Sequence, residues 1–252
     1  MRRLADNVQS VERAFTLFEL LANQGTLSLT QLCGQTGLHK TTVYRLLSTL
    51  MQLGYVDKAE DSRYRLSMKV FELGSRRIQN TDFYITARSF MRRLALSLEQ
   101  TVHMVIEDKN EVLYIDKITV NEMGLKMQSK IGLKAPMYCT AVGKALLAAK
   151  TDTEIERYWN SVQKIKFTDK TIETYDDLLK DIRKIRQCGY ALDTGEHEQG
   201  IICIGSSFAT YQNRGAGAFS TSLSINDMQK LNSFIPLILD TARQLTEVLG
   251  GT

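Results

Sequence analysis

The chain has 252 residues, 43% of them apolar, which allows one large domain or two ordinary ones of globular composition. No run of about 18 apolar residues occurs, so no membrane span is expected, and the opening MRRLADNVQS lacks the apolar core of a signal peptide, which points to a cytoplasmic location. The net charge of +4 is unevenly spread: residues 1–80 hold 11 Lys or Arg against 7 Asp or Glu, while residues 81–252 hold 21 of each, the footprint of a phosphate-binding module joined to a neutral one.

In chain order, residues 8–23 read as an amphipathic helix, with Val11, Ala14, Phe15, Phe18 and Leu21 on one side. Residues 28–47, SLTQLCGQTGLHKTTVYRLL, read as two short helices joined by a tight turn. The first presents Leu29, Leu32 and Cys33; Gly37 breaks it, because glycine takes the left-handed backbone a sharp turn needs. The second starts near His39 and turns Val43, Leu46, Leu47 and Leu50 inward. Its other face carries Lys40, Thr41, Thr42, Tyr44 and Arg45, a short, basic, hydroxyl-rich front suited to a DNA major groove. A helical hairpin with a solvated face is the plain alternative. Gly54 ends this helix; residues 55–58 and 63–66 then read as two strands around a turn at 59–62. This is a wing, and Lys58, Arg63 and Arg65 on or beside it can reach phosphates or the minor groove.

Residues 68–80 read as a linker helix with Val70, Phe71 and Leu73 on its apolar side, and a second helix runs over about 81–100, capped by Thr81 or Asp82. Its Phe83, Ala87, Phe90, Leu94 and Leu98 recur at helical spacing. Strands are expected at 102–106, 112–115, 124–131, 190–193, 201–206 and 217–223, and helices at 139–148, 152–161, 175–187 and 227–249. The fold class is therefore α+β: an N-terminal winged helix-turn-helix domain (1–67), a linker helix (68–80), and a C-terminal α/β sandwich with a mainly antiparallel sheet (81–252). Four cysteines without a CxxC pair argue against a disulfide framework, and three histidines without ligand spacing argue against a metal; no cofactor is expected.

The whole chain resembles the IclR family of bacterial transcription regulators. The resemblance is carried by VQSVERAFTLFELL (8–21), TGLHKTTVYRLLSTL (36–50), LGYV followed by YRLS, YCTAVGKALLA (138–148), GYALDTGEHEQGIICIG (189–205) and STSLS (220–224). Within the family, KVFELGSRRIQN and SKIGLKAPMYCTAVGKALLA look most like the KdgR group, whose members sense sugar-acid metabolites. The resemblance implies a GAF-like effector domain, a dimer or tetramer on a near-palindromic operator, and regulation, with repression expected, of an operon for sugar-acid or related carboxylate breakdown. It makes the helix at 8–23 the dimer contact of the DNA-binding half, although Phe15 and Phe18 could equally be core.

Family effector positions fall on Met127, Ala141, Val142, Asp193, Cys203, Ser220 and Ser222. The residue chemistry agrees at several. Residues 140–143 lie where a loop enters a helix, and first-turn amides attract a carboxylate. Ser220 and Ser222 alternate along one strand and share a face. Asp193 could accept from ligand hydroxyls or merely cap a turn; Cys203 could be a wall of the site or a buried small hydrophobe. A small hydroxylated organic acid fits the set. Two departures stand out: the run Ile204-Gly205-Ser206-Ser207 where relatives carry a small residue, Val and Pro, and His39 where they carry Ser. The rival readings are an activator of the same family and a GAF-like enzyme using Cys203 with His197 as base.

Overall fold

The computed structural model describes residues 7–79, 81, 83–120, 129–213 and 215–251. The chain divides into two compact units, Met1–Thr81 and Asp82–Thr252.

The first unit opens with α1 (Gln9–Gln24), α2 (Leu29–Thr36) and α3 (Lys40–Gln52). Ser28 starts α2 with a full capping box: its hydroxyl accepts from Gln31 N at 3.3 Å while the Gln31 side chain accepts from Ser28 N at 2.9 Å, an arrangement that stabilises a helix start by about 1 kcal/mol. Gly37 closes α2 at φ +68° and sends its amide to Cys33 O, so α3 leaves at a sharp angle. Strands β1 (Val56–Lys58) and β2 (Tyr64–Leu66) form the antiparallel wing, and Leu27 bridges to Tyr64 as a third rung. Leu17, Leu21, Leu27, Leu32, Val43, Leu47, Val56 and Tyr64 make the core. The apolar side of α1 divides between core and surface. Leu17 joins Leu21 in the core, whereas Val11 and Phe15 are 50% and 59% exposed. Helix α4 (Lys69–Gln79) completes the unit and buries no residue. Lys69 Nζ ties its start to Leu53 O at 2.6 Å and lies over the Tyr55 ring.

The second unit begins with α5 (Tyr84–Leu98), which buries Ala87, Phe90, Leu94 and Leu98 as the periodicity demands. Its start departs from expectation. Phe83 occupies the cap position without a side-chain bond, and the Thr81 hydroxyl turns back to Arg77 O. Strands β3 (Val102–Asp108), β4 (Glu111–Ile118), β5 (Lys134–Pro136), β6 (Ala191–Asp193), β7 (Ile201–Phe208) and β8 (Gly217–Ser224) form one sheet in the order β5-β4-β3-β8-β7-β6. Every pairing is antiparallel. The strand expected over 124–131 is not found in Ser129–Ile131, and its remainder lies outside the described residues; β5 forms just after it instead. Helix α6 (Ala141–Ala148) packs on β6, β7 and β8, and α7 (Asp152–Ser161) and α8 (Tyr175–Cys188) extend the core on that face. A 3₁₀ turn (Ile225–Lys230) leads into α9 (Leu231–Val248), which packs with α5 and against β7. Helices α6 and α9 both contact β7, whose alternating side chains serve the two faces.

Candidate functional site

The α3 surface is built by the burial of Val43 and Leu47 at 0% exposure. At 3.6 residues per turn, Thr41, Tyr44 and Arg45 then project away from the core. Lys40, Thr41, Tyr44 and Arg45 are exposed and Thr42 is half-buried. Thr42 and Arg45 also line an open apolar groove of about 880 Å³ with Val11, Phe15, Phe18 and Leu50. No side chain caps α3 at His39; the amides of Thr42 and Val43 reach its carbonyl at 2.9 and 3.1 Å. On the wing, Lys58, Arg63 and Arg65 are all exposed. Arg63 is already committed to Asp61 at 2.5 Å, a contact that holds the Asp61 carboxyl below its ordinary range.

In the second unit, sheet register decides which side chains meet. Asp193 pairs with Cys203, and Cys203 pairs with Ser222, forming one row. In the next row Gly205 pairs with Ser220, which pairs with His103. Cys203, Ser220, Ser222 and His103 therefore share a sheet face, and it is the face that carries Val105, Ala218 and the α6 core. Cys203 Sγ lies 3.3 Å from Ser222 Oγ. Ala141 and Val142, 1% and 2% exposed, start α6. Thr140 Oγ1 caps that helix by accepting from Gly143 N at 3.2 Å, and Lys144 N reaches Thr140 O, which leaves Ala141 and Val142 as first-turn donors. Gly143 is dictated by close approach, since a Cβ there would stand 2.3 Å from Met137 Cα. Met127 lies outside the described residues.

Asp193 organises its own turn. Its Oδ1 accepts from Gly195 N at 3.0 Å and Glu196 N at 2.6 Å, organising the turn after β6, while burial pushes its carboxyl above the usual range. The pairing of Cys203 with His197 as nucleophile and base finds no support. Burial pushes the Cys203 thiol up to about 12, so no thiolate forms at neutral pH. His197 packs on the Phe167 ring at 4.7 Å, and burial lowers its own pKa.

Several polar residues at this face are absent from the sequence-based set. His103 is 1% exposed, with Nε2 2.8 Å from Ser129 Oγ and its ring edge-on to Tyr114. Burial and the nearby Lys117 depress its pKa to about 4, so it is neutral at pH 7. Lys144 is fully buried, 2.6 Å from both Asp181 Oδ2 and Glu196 Oε1. A lysine inside the apolar run AVGKALLA was the available signal, for a buried lysine requires a partner. Among the described residues no group of three or more His, Cys, Asp or Glu could hold a metal, and no helix is long and apolar enough to cross a membrane.

Comparison with known proteins decides the family. The IclR helix-turn-helix domain matches residues 10–60, and the bacterial transcriptional regulator IclR C-terminal domain matches residues 75–247. The chain belongs to the IclR family. It is 32% identical over 250 residues to the HTH-type transcriptional regulator KdgR of Escherichia coli K12, covering 97% of this chain and 94% of that protein. The crystal structure of Thermotoga maritima IclR superposes with a TM-score of 0.85 at 26% identity, over 97% of this chain and 100% of that one. An IclR homologue of Microbacterium hydrocarbonoxydans, complexed with 4-hydroxybenzoate, shares the fold at a TM-score of 0.82 and 16% identity, over 95% and 97% of the two chains. This IclR-family chain is a DNA-binding transcriptional regulator and, like its relatives, not an enzyme.

Proposed function

We propose that this regulator is a repressor that acts in the cytoplasm on an operon for breakdown of a sugar acid or related carboxylate. Residues 1–67 serve as the DNA-binding domain, 68–80 as the linker helix and 81–252 as the effector domain. On the operator, Lys40, Thr41, Thr42, Tyr44 and Arg45 contact DNA, one or two of them reading base edges, while Lys58, Arg63 and Arg65 on or beside the wing reach phosphates or the minor groove. Arg63 contributes least, because its guanidinium is shared with Asp61. The observation that carries this reading is the outward projection of Thr41, Tyr44 and Arg45 from a helix whose opposite face is fully buried. A homodimer, or a tetramer of two dimers, grips the two halves of a near-palindromic site. The apolar groove with exposed Val11 and Phe15 at its edge supports self-association.

A small organic acid binds at Ala141, Val142, Asp193, Cys203, Ser220 and Ser222, together with Met127. Its carboxylate meets the first-turn amides of α6, and its hydroxyls meet the serine row. The acid bound by the Microbacterium homologue is in keeping with this chemistry. The effector works by preferring one of two protein states, which weakens the other state's grip on DNA. The test is a mobility-shift titration with the operator upstream of the regulated genes, at several salt concentrations and with a panel of sugar acids. Tight binding that weakens steeply with salt, and that at least one acid releases, is expected. Affinity equal to that for random duplex overturns the reading.

A further inference from the structure

The second unit contains an imbalance of buried charge. Lys144 Nζ, fully buried on α6, is held between Asp181 on α8 and Glu196 on the turn after β6. Asp193 is the third carboxyl of the group, joined to Glu196 through the Glu196 amide. Three carboxyls thus surround one ammonium. Asp181 is partly exposed, whereas Asp193 and Glu196 are 4% and 7% exposed. Glu196 Oε1 is satisfied by Lys144, but its Oε2 is buried and has no hydrogen-bond partner among the described residues. A buried carboxylate oxygen left in that state is strongly disfavoured and calls for a proton, a ligand or both.

Glu196 is linked to the effector positions through two neighbours, Asp193, which accepts from its amide, and Lys144, which holds its Oε1. Lys144 lies one turn on from Ala141 and shares its side of α6. Asp193 sits opposite Cys203 in the sheet, and Cys203 meets Ser222. The titratable groups that face Glu196 are Lys144 from α6, Asp181 from α8, Asp193 from β6, Cys139 from the segment before α6 and Cys203 from β7. His197 and Glu198 follow it on its own turn. Both thiols are held protonated by burial; Lys144 is the buried cation in contact with Glu196 among the described residues and is already shared, while Lys170, from the segment before α8 that packs on this turn, is exposed and bonded to Thr194 O. An anion entering at the start of α6 would add a further negative charge to a site whose buried ammonium is already shared between two carboxylates.

We propose that Glu196 is a specificity-determining contact of the effector site: an organic-acid effector binds together with one proton, taken from solvent onto Glu196 Oε2, which then donates a hydrogen bond to the ligand. The inference rests on the effector reading above and adds the regulation of that site. Burial already raises the Glu196 pKa to about 7 in the free protein, so the proton is acquired near neutral pH. The effector response is then sharper on the acid side of neutrality, and an uncharged polyol of the same length lacks the coupling.

The test is isothermal titration calorimetry on the full chain with D-gluconate as probe, in phosphate and in Tris at pH 7.5, where the difference in buffer ionisation heat counts protons. Uptake of about 0.7 proton per ligand is expected for a group titrating near 7, with affinity weakening about tenfold per pH unit above 7.5. Glu196→Gln keeps the shape and the Lys144 contact, and it should bind gluconate with no proton uptake and no such pH slope. Gluconate binding without uptake, uptake undiminished in Glu196→Gln, or D-sorbitol binding as tightly as gluconate each overturns the proposal while leaving the effector reading intact. If neither gluconate nor galacturonate binds, the sugar-acid reading falls, and this inference falls with it. Should Glu196→Gln fail to fold, the two-buffer comparison on the wild-type chain decides alone.

Discussion

The two units treat charge in opposite ways. In residues 7–79 the described side chains of Lys40, Arg45, Lys58, Arg63 and Arg65 all stand in solvent, and the core is Leu, Val and Tyr. In the second unit the buried set includes His103, Asp116, Lys144, Asp193 and Glu196. Exposed charge acts at long range, is screened by salt and costs little to keep. Buried charge acts only on what touches it and demands a complete set of partners. A surface that must find any stretch of DNA and then settle on one suits the first arrangement. The effector site proposed above, which would tell one small molecule from another, suits the second.

The sharpest way to break this contrast is to remove a buried partner inside the second unit. Lys144→Met strands Asp181 and Glu196 and should destabilise the second unit by about 3 kcal/mol, read by urea denaturation, with DNA affinity of the folded fraction unchanged. Removing a solvent-facing charge should do the reverse. Arg45→Ala is expected to weaken operator binding by about 1–3 kcal/mol in a mobility-shift assay, and to leave the melting temperature where it was.

The pH dependence of the sensor sharpens the comparison. Glu196 has a folded pKa near 7, above its unfolded value of 4.5, so its contribution is full below 4.5 and is lost as pH rises through 7. His103, depressed from 6.5 to about 4, contributes above 6.5, and that stability is lost as pH falls through 4. The two slopes oppose each other. Glu196→Gln should therefore unmask a rise in stability between pH 4 and 6.5, of about 2 kcal/mol from the His103 shift; denaturant midpoints across that range check it, and a flat profile counts against the assignment. The smallest effect belongs to the first unit: Ser28→Ala removes one capping box and should cost about 1 kcal/mol by thermal unfolding.

Where one periodicity governs, the architecture was readable. Gly37 between two apolar stripes marked the turn, and Phe83, Ala87, Phe90, Leu94 and Leu98 marked α5. The reading faltered where tertiary contacts choose between equal options. On α1, both Leu17 and Phe15 suit a core, and only the packing of α2, α3 and β2 against the helix selects Leu17. Asp193 could serve a ligand or its own turn, and only the folded turn brings the amides of Gly195 and Glu196 onto its Oδ1. Glu196 was invisible because DTGEHE reads as a solvated loop, and its burial depends on Lys144, 52 residues away. His103 has no ligand spacing in the sequence, and its place beside Ser220 comes from a cross-strand register that no local window contains.

The bare start of α3 carries a last consequence. With His39 offering no side-chain acceptor, the amides of Lys40 and Thr41 are left for water or for an incoming anion. A backbone phosphate arriving there would close the opening turn of the helix that recognises it. The reader is thus finished by what it reads, and slowing of hydrogen exchange at those two amides becomes a local gauge of operator occupancy, independent of any base contact.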